Sequence, residues 1–203
     1  MNRQKRWYDY LWVASLLYLI LGFFNILFAW LGLLCFAIPL IMAAAGKDKG
    51  YCNRYCGRGQ LFALLGGKWK LSRGLPIPHW LKSKWFRYGF LTFFMAMFLN
   101  MLYVTWLVFA GAGELRQAVT LLWTFKLPLK SKVFFFPWIA NAYPVQVTPW
   151  IAQFAFGFYS VMFTSTVLGL VTMFLFRPRT WCVYCPMGTM TQMICTVKHG
   201  RKG

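Results

Sequence analysis

Acidic residues are almost missing from this 203-residue chain: Asp9, Asp48 and Glu114 stand alone against 22 Lys and Arg. Three scattered carboxylates do not make the paired acid and base of a hydrolytic site; Asp9 or Glu114 has at most a place in a proton relay. Histidine is nearly as scarce, with only His79 and His199, both in basic stretches. A haem held inside a bilayer by two histidines therefore has no ligands. Neither a phosphate-cradling glycine loop nor a nucleophile–base pair is present. Charged residues make up 12% of the chain, about half the ~25% of a soluble domain.

What is present is apolar: 60% of residues are hydrophobic and 21% aromatic, the composition of an integral membrane protein. The net charge of +19 would point to nucleic acid in a soluble chain, yet no nucleic-acid motif is visible. Basic residues also flank membrane spans, because cytoplasmic loops are rich in Lys and Arg and face anionic lipid. The lipid bilayer, and no nucleic acid, is the expected partner.

The apolar pattern predicts an all-α integral membrane protein, a single membrane domain over residues 1–203 with four transmembrane helices near 8–26, 29–46, 88–112 and 151–176. The first apolar run, about Tyr10 to Ala45, is too long for a signal peptide and about twice one span of ~20 residues. It predicts a hairpin turning between Asn25 and Gly32. Residues 46–87 are punctuated by glycine and proline and predict a loop with one short helix near Gln60 to Leu65. From Glu114 to Phe125 the spacing of Leu115, Val119, Leu122 and Trp123 predicts an external helix lying on the membrane surface. After it, Phe134, Phe135, Phe136, Trp138, Tyr143 and Trp150 suit an interfacial aromatic belt.

The distribution of cations sets the expected sidedness. Residues 1–9 carry three Lys or Arg, 46–87 ten and 177–203 five, whereas 112–149 carry four. Eighteen basic residues thus fall on one side of a four-span chain. The positive-inside bias places both termini and both cysteine loops, 47–60 and 179–189, in the cytoplasm, which in a bacterium means the inner membrane.

Those loops hold Cys52-Asn-Arg-Tyr-Cys56 and Cys182-Val-Tyr-Cys185-Pro186. Two cysteines two or three residues apart turn both thiolates toward one ion, and a second pair completes a four-sulfur site. Soft thiolates select zinc, copper(I) or iron–sulfur clusters, and permanent disulfides are rare where thiols are kept reduced. Pro186 after Cys185, the glycines Gly57, Gly59 and Gly188, and the cations Arg54, Arg58, Arg177 and Arg179 favour an iron–sulfur cluster over zinc. Cys35, inside the second span, and Cys195, near the C-terminus, suit passive small hydrophobes, Cys195 being the better reserve ligand. Asn100, Gln153, Ser160, Thr164, Ser165 and Thr166 suit either hydrogen bonds between helices or a quinone head group. Tyr51, Tyr55, Trp181 and Tyr184 flank the cysteines as cluster shields or interfacial anchors.

Cys52-x3-Cys56-Gly-Arg-Gly and Arg179-Thr-Trp-Cys182-x2-Cys185-Pro-Met-Gly resemble the Cys-x3-Cys-Pro-x-Gly motif of polyferredoxin-like membrane 4Fe–4S proteins typified by NapH and NosR. The likeness covers both loops and their flanking helices. Gly57 stands where the family usually has proline, the second pair is one residue shorter, and no soluble ferredoxin run is present, so the resemblance is to the membrane core. It implies a cluster, most often 4Fe–4S, held by Cys52, Cys56, Cys182 and Cys185. It also implies electron transfer between a quinone pool and a redox protein partner or complex subunits, rather than self-contained catalysis. Two other readings share the frame: a quinone-linked thiol–disulfide oxidoreductase, and a structural zinc clasp in a membrane scaffold.

Overall fold

The computed structural model describes residues 10–45, 55–113, 115, 118–120, 135–137 and 148–200. The architecture is helical. Among the described residues, the one exception is a short antiparallel ladder of β1 (Ala118–Thr120) and β2 (Phe135–Pro137), with Val119 opposite Phe136.

The N-terminal apolar run breaks where expected. Helix α1 (Leu11–Phe24) ends at Asn25, whose extended backbone starts a 3-10 turn (Ile26–Trp30) and whose side chain accepts from the Leu27 N–H at 3.0 Å. That side-chain oxygen satisfies a donor that the new helix leaves unpaired. Helix α2 (Leu31–Ala44) follows directly, with Pro39 inside it. The chain folds back here, because Gly32 lies so close to the Tyr18 hydroxyl and the Phe158 ring that a Cβ would collide with both.

Among the described residues, three helical stretches are long and apolar enough to cross a membrane: Ile26–Ala44, α5 (Lys84–Phe109) and α6 (Pro149–Leu175). Helix α1 is apolar but has only 14 residues, and at 1.5 Å per residue it extends ~21 Å, short of a ~30 Å hydrocarbon core. Helix α6 opens on Pro149, a residue suited to the first helical position, and stops ahead of Arg177-Pro178, since the residue before proline disfavours helix. Between Gln153 and Thr166 nearly every α6 residue is buried, the pattern of a helix enclosed on all sides.

The described residues form two compact units. One comprises the described parts of 1–17, 33–92 and 166–203, the other those of 18–32 and 93–165. The chain leaves the first unit twice and returns to it twice.

In the first unit, Phe62, Leu81, Met173, Trp181 and Tyr184 form the core, joined by Ile77, Phe86 and Phe90. Phe62 comes from α3 (Gly57–Ala63), which continues into a π-helical turn (Leu64–Lys68); Leu81 comes from the short α4 (His79–Lys82). Gly169 of α6 lets the Phe62 ring approach so closely that a Cβ would overlap it. In the second unit, Ala29, Ala155, Phe156 and Tyr159 pack with Tyr18, Ile26 and Trp30. The Tyr159 hydroxyl donates to the Leu19 carbonyl at 2.8 Å, and Gly157 admits the Met101 side chain. Close packing at Gly157 and Gly169 is what their positions in the last span predict.

Two expectations need correction. The surface helix predicted from Glu114 to Phe125 is a strand at 118–120; the β-branched Val119-Thr120 pair suits extended backbone, and the Phe135–Pro137 strand supplies its hydrogen-bond partners. Most of the rest of that helix and of the aromatic belt lies outside the described residues. The second cysteine loop, expected over 179–189, is largely helical: α7 (Trp181–Tyr184) is followed at Pro186 by α8 (Pro186–Gly200).

Candidate metal centre

The centre is built from the beginnings of α3 and α8 and the turn that carries α7. Cys56 is the N-cap of α3, and its sulfur accepts from the Gly59 N–H at 3.4 Å. Gly57 lies against the Leu11 carbonyl and Ser15 of α1, where any Cβ would collide, that of the proline in the resembled motif included. The glycine that departs from the motif therefore has a steric reason in this chain.

Gly59 is where the two loops meet. A Cβ placed on it would stand 3.5 Å from the Cys182 sulfur and 3.6 Å from the Cys56 sulfur. Two thiols from opposite ends of the sequence thus face one point. Cys182 is held there by the turn ahead of α7: Thr180, fully buried, donates to the Arg177 carbonyl at 2.8 Å and accepts from the Arg177 N–H at 3.1 Å, and the Cys182 N–H donates to Arg179.

Cys185 precedes Pro186, and the Gly188 and Met187 N–H groups donate to its sulfur. Cys56 and Arg58 lie within electrostatic range of it. Burial pushes the Cys185 thiol up to about 11, with the Gly188 N–H and Arg58 opposing and Cys56 adding to the rise. A group so placed keeps its proton at neutral pH until a cation replaces it. Backbone N–H groups aimed at cysteine sulfur are one of the features that tune iron–sulfur clusters. In donor chemistry the residues fit such a group.

In count they do not complete it. Among the described residues, no group of three or more His, Cys, Asp or Glu is close enough together to hold a metal ion. Cys52, the fourth expected ligand, lies outside the described residues, as do Tyr51 and Arg54.

No family model matches this chain. No curated protein and no solved structure matches it either. Its own residues carry the argument about the site.

Trp181 and Tyr184 belong to the core of the first unit rather than to an interfacial belt. Both are 3% exposed, and their rings pack on Phe90 at 5.8 and 5.2 Å. The Tyr184 hydroxyl donates to Thr172 of α6 at 3.1 Å. These aromatics fix the α7 turn from beneath while Cys182 is exposed between them. The reading from sequence missed this because tryptophan and tyrosine beside a membrane span have the signature of a belt.

Cys35 was expected to be passive, yet it falls in the same unit and within electrostatic range of Cys56 and Arg58. Cys195 lies in α8. No disulfide joins any of the described cysteines. Of the polar groups considered for a quinone, Ser160 and Ser165 donate to the Phe156 and Met162 carbonyls of their own helix at 2.8 Å, a use that needs no ligand.

Proposed function

We propose that this chain is a membrane-embedded iron–sulfur protein that relays electrons at the cytoplasmic face of a bacterial inner membrane. Cys52, Cys56, Cys182 and Cys185 are the cluster ligands. The observation that carries the reading is the convergence of the Cys56 and Cys182 sulfurs on Gly59. A small residue at that point admits two sulfurs from separate segments, as a shared site requires. The cluster supplies a one-electron couple; the protein's part is to hold the thiolates, aim N–H groups at them and keep Arg58 near Cys185. The chain acts as an electron-transfer component beside a quinone pool, a redox protein or partner subunits rather than as a self-contained catalyst.

The proposed topology has four crossings, with both termini and both cysteine loops cytoplasmic. Its support is that the described parts of both cysteine segments belong to one compact unit, together with the concentration of Lys and Arg in those segments. A reporter fused after Gly203 should be active only in its cytoplasmic form.

Protein purified without oxygen should be brown and contain iron and acid-labile sulfide, with a paramagnetic signal after dithionite reduction. Cys182→Ala should remove all three. A colourless preparation overturns the reading, and stoichiometric zinc without sulfide would replace it with a structural clasp.

A further inference from the structure

We propose that the segment from Lys68 to Trp85 is a docking ledge for the phosphate headgroups of anionic phospholipids. It does not depend on the iron–sulfur reading, because none of the candidate ligands lies in it.

The ledge starts at a helix stop. After the π-helical turn Leu64–Lys68, the Trp69 N–H returns to the Leu64 carbonyl at 3.2 Å and the Leu71 N–H to Leu65 at 3.3 Å. Lys70 takes the left-handed backbone, φ 53°, that ends many helices. Trp69 and Lys70 are both exposed there.

The next residues fix the ledge's depth. The Arg73 N–H donates to the Phe174 carbonyl at 3.0 Å and the Gly74 N–H to Phe176 at 3.1 Å; the Ser72 hydroxyl also bonds Phe176. Phe174 is in the last turn of α6, which ends at Leu175, and Phe176 follows it directly. At Lys84 the ledge becomes the first turn of α5, another stretch able to cross a membrane. The segment is thus tied to the ends of two such helices.

Its two faces differ. Leu81 is 3% exposed and packs in the core with Ile77 and Phe86, so the ledge rests on the protein. Outward stand Trp69, Trp80 and Trp85, at 64%, 60% and 88% exposure, among the exposed cations Lys68, Lys70, Lys82 and Lys84. Tryptophan suits the boundary between hydrocarbon and headgroup, with an apolar ring and one N–H donor. Lysine lays its stem on apolar surface and lifts its charge to the phosphates.

Charge selects the occupant. Between Asp48 and Glu114 there is no acidic residue, so the ledge holds no anion of its own. Arg177 and Arg179, just past α6, add two more exposed cations. A soluble polyanion would meet the lysines but leave three indoles in water, whereas an anionic bilayer surface uses both.

The test places the full chain in nanodiscs of phosphatidylcholine with and without phosphatidylglycerol and measures enrichment of phosphatidylglycerol around the protein. The wild type should enrich it, and Lys68→Gln/Lys70→Gln/Lys82→Gln/Lys84→Gln should lower the enrichment by about tenfold or more at unchanged helicity and thermal midpoint. Raising ionic strength should weaken enrichment around the wild type, which keeps the test valid should the variant fail to fold. Fluorescence lost in Trp69→Phe/Trp80→Phe/Trp85→Phe should be the part quenched by lipids brominated near the headgroup. Equal enrichment by wild type and lysine variant, insensitivity to salt, or quenching of these indoles only by aqueous acrylamide, as on a surface for a soluble partner, would each overturn the proposal.

Discussion

Gly59 stands where the Cys182 sulfur would meet a side chain, 3.5 Å from the position of its missing Cβ. One methyl at that distance is in ordinary contact, so Gly59→Ala should fold and retain iron close to the wild-type level. Gly59→Val adds two methyls directed toward two sulfurs and should cost about 1–3 kcal/mol by overpacking. Iron per protein and the thermal midpoint, measured on both variants, test this. Equal iron in the valine variant would show that the sulfurs do not share that space.

Thr180 closes the turn that presents Cys182, with one bond to the Arg177 carbonyl and one from its N–H. Thr180→Ala removes the hydroxyl partner of the Arg177 N–H, while the Arg177 carbonyl still accepts from the residue 180 N–H, and should lower stability by about 0.5–1.5 kcal/mol. Thr180→Ser retains the hydroxyl and should recover most of the loss. Chemical denaturation in a constant detergent compares the three proteins; an alanine variant as stable as the serine one would remove the hydroxyl from the account.

Gly169 and Phe62 occupy one space, since a Cβ on the glycine would overlap the ring. Gly169→Ala alone should cost about 1–3 kcal/mol. Combined with Phe62→Leu, which vacates part of that space, it should cost less than the sum of the two single changes. The sign of the coupling in that cycle, read from unfolding free energies, is the measurement.

How much of this was legible in advance depends on the scale of the signal. The turn at Asn25 and the ends of α5 and α6 fall within a few residues of expectation, because long apolar runs and an N-capping side chain are local. Of the short helices, the one near Gln60 to Leu65 was legible, as α3 and the π-helical turn after it, but α4, α7 and α8 were not. Pro78 and Pro186 look like loop punctuation, although proline just ahead of or at the first helical position is compatible with helix. For the site, the cysteine types and spacings are in the sequence, but the role of Gly59 depends on a neighbour that folding alone supplies. The burial of Trp181 and Tyr184 was hidden for the same reason: composition does not tell a core aromatic from an interfacial one.

Tyr184 carries a pH dependence of its own. Burial pushes its hydroxyl up to about 12, with the Thr172 hydrogen bond opposing and Cys185 adding to the rise. The folded state keeps this proton after an unfolded tyrosine, near 10, has lost it. Its contribution to stability is therefore present below pH 10 and lost as pH rises toward 12. In an alkaline titration followed by tyrosinate absorbance, fewer tyrosines should ionise near pH 10 than in the unfolded protein. Tyr184→Phe should shrink the late step by one tyrosine and, through the lost bond to Thr172, remove about 0.5–1.5 kcal/mol of stability.

Cys35 gives the sharpest test of the ligand set. It lies within electrostatic range of Cys56 and Arg58, so position alone makes it a competitor for Cys52. The proposed set leaves it out, because Cys52 and Cys56 are separated by three residues of one segment, a spacing that can turn both thiolates toward one ion without help from α2. Cys35→Ser should then retain iron, sulfide and the reduced-state signal, while Cys52→Ser loses at least about tenfold in metal affinity, the scale on which even supporting groups around a metal matter. The reverse outcome, iron lost from Cys35→Ser and kept in Cys52→Ser, would move the fourth sulfur from the loop into the apolar stretch Ile26–Ala44. Such a cluster would be enclosed by hydrocarbon on one side and would need its electron partner to approach from the Cys182 side, the cysteine that remains exposed.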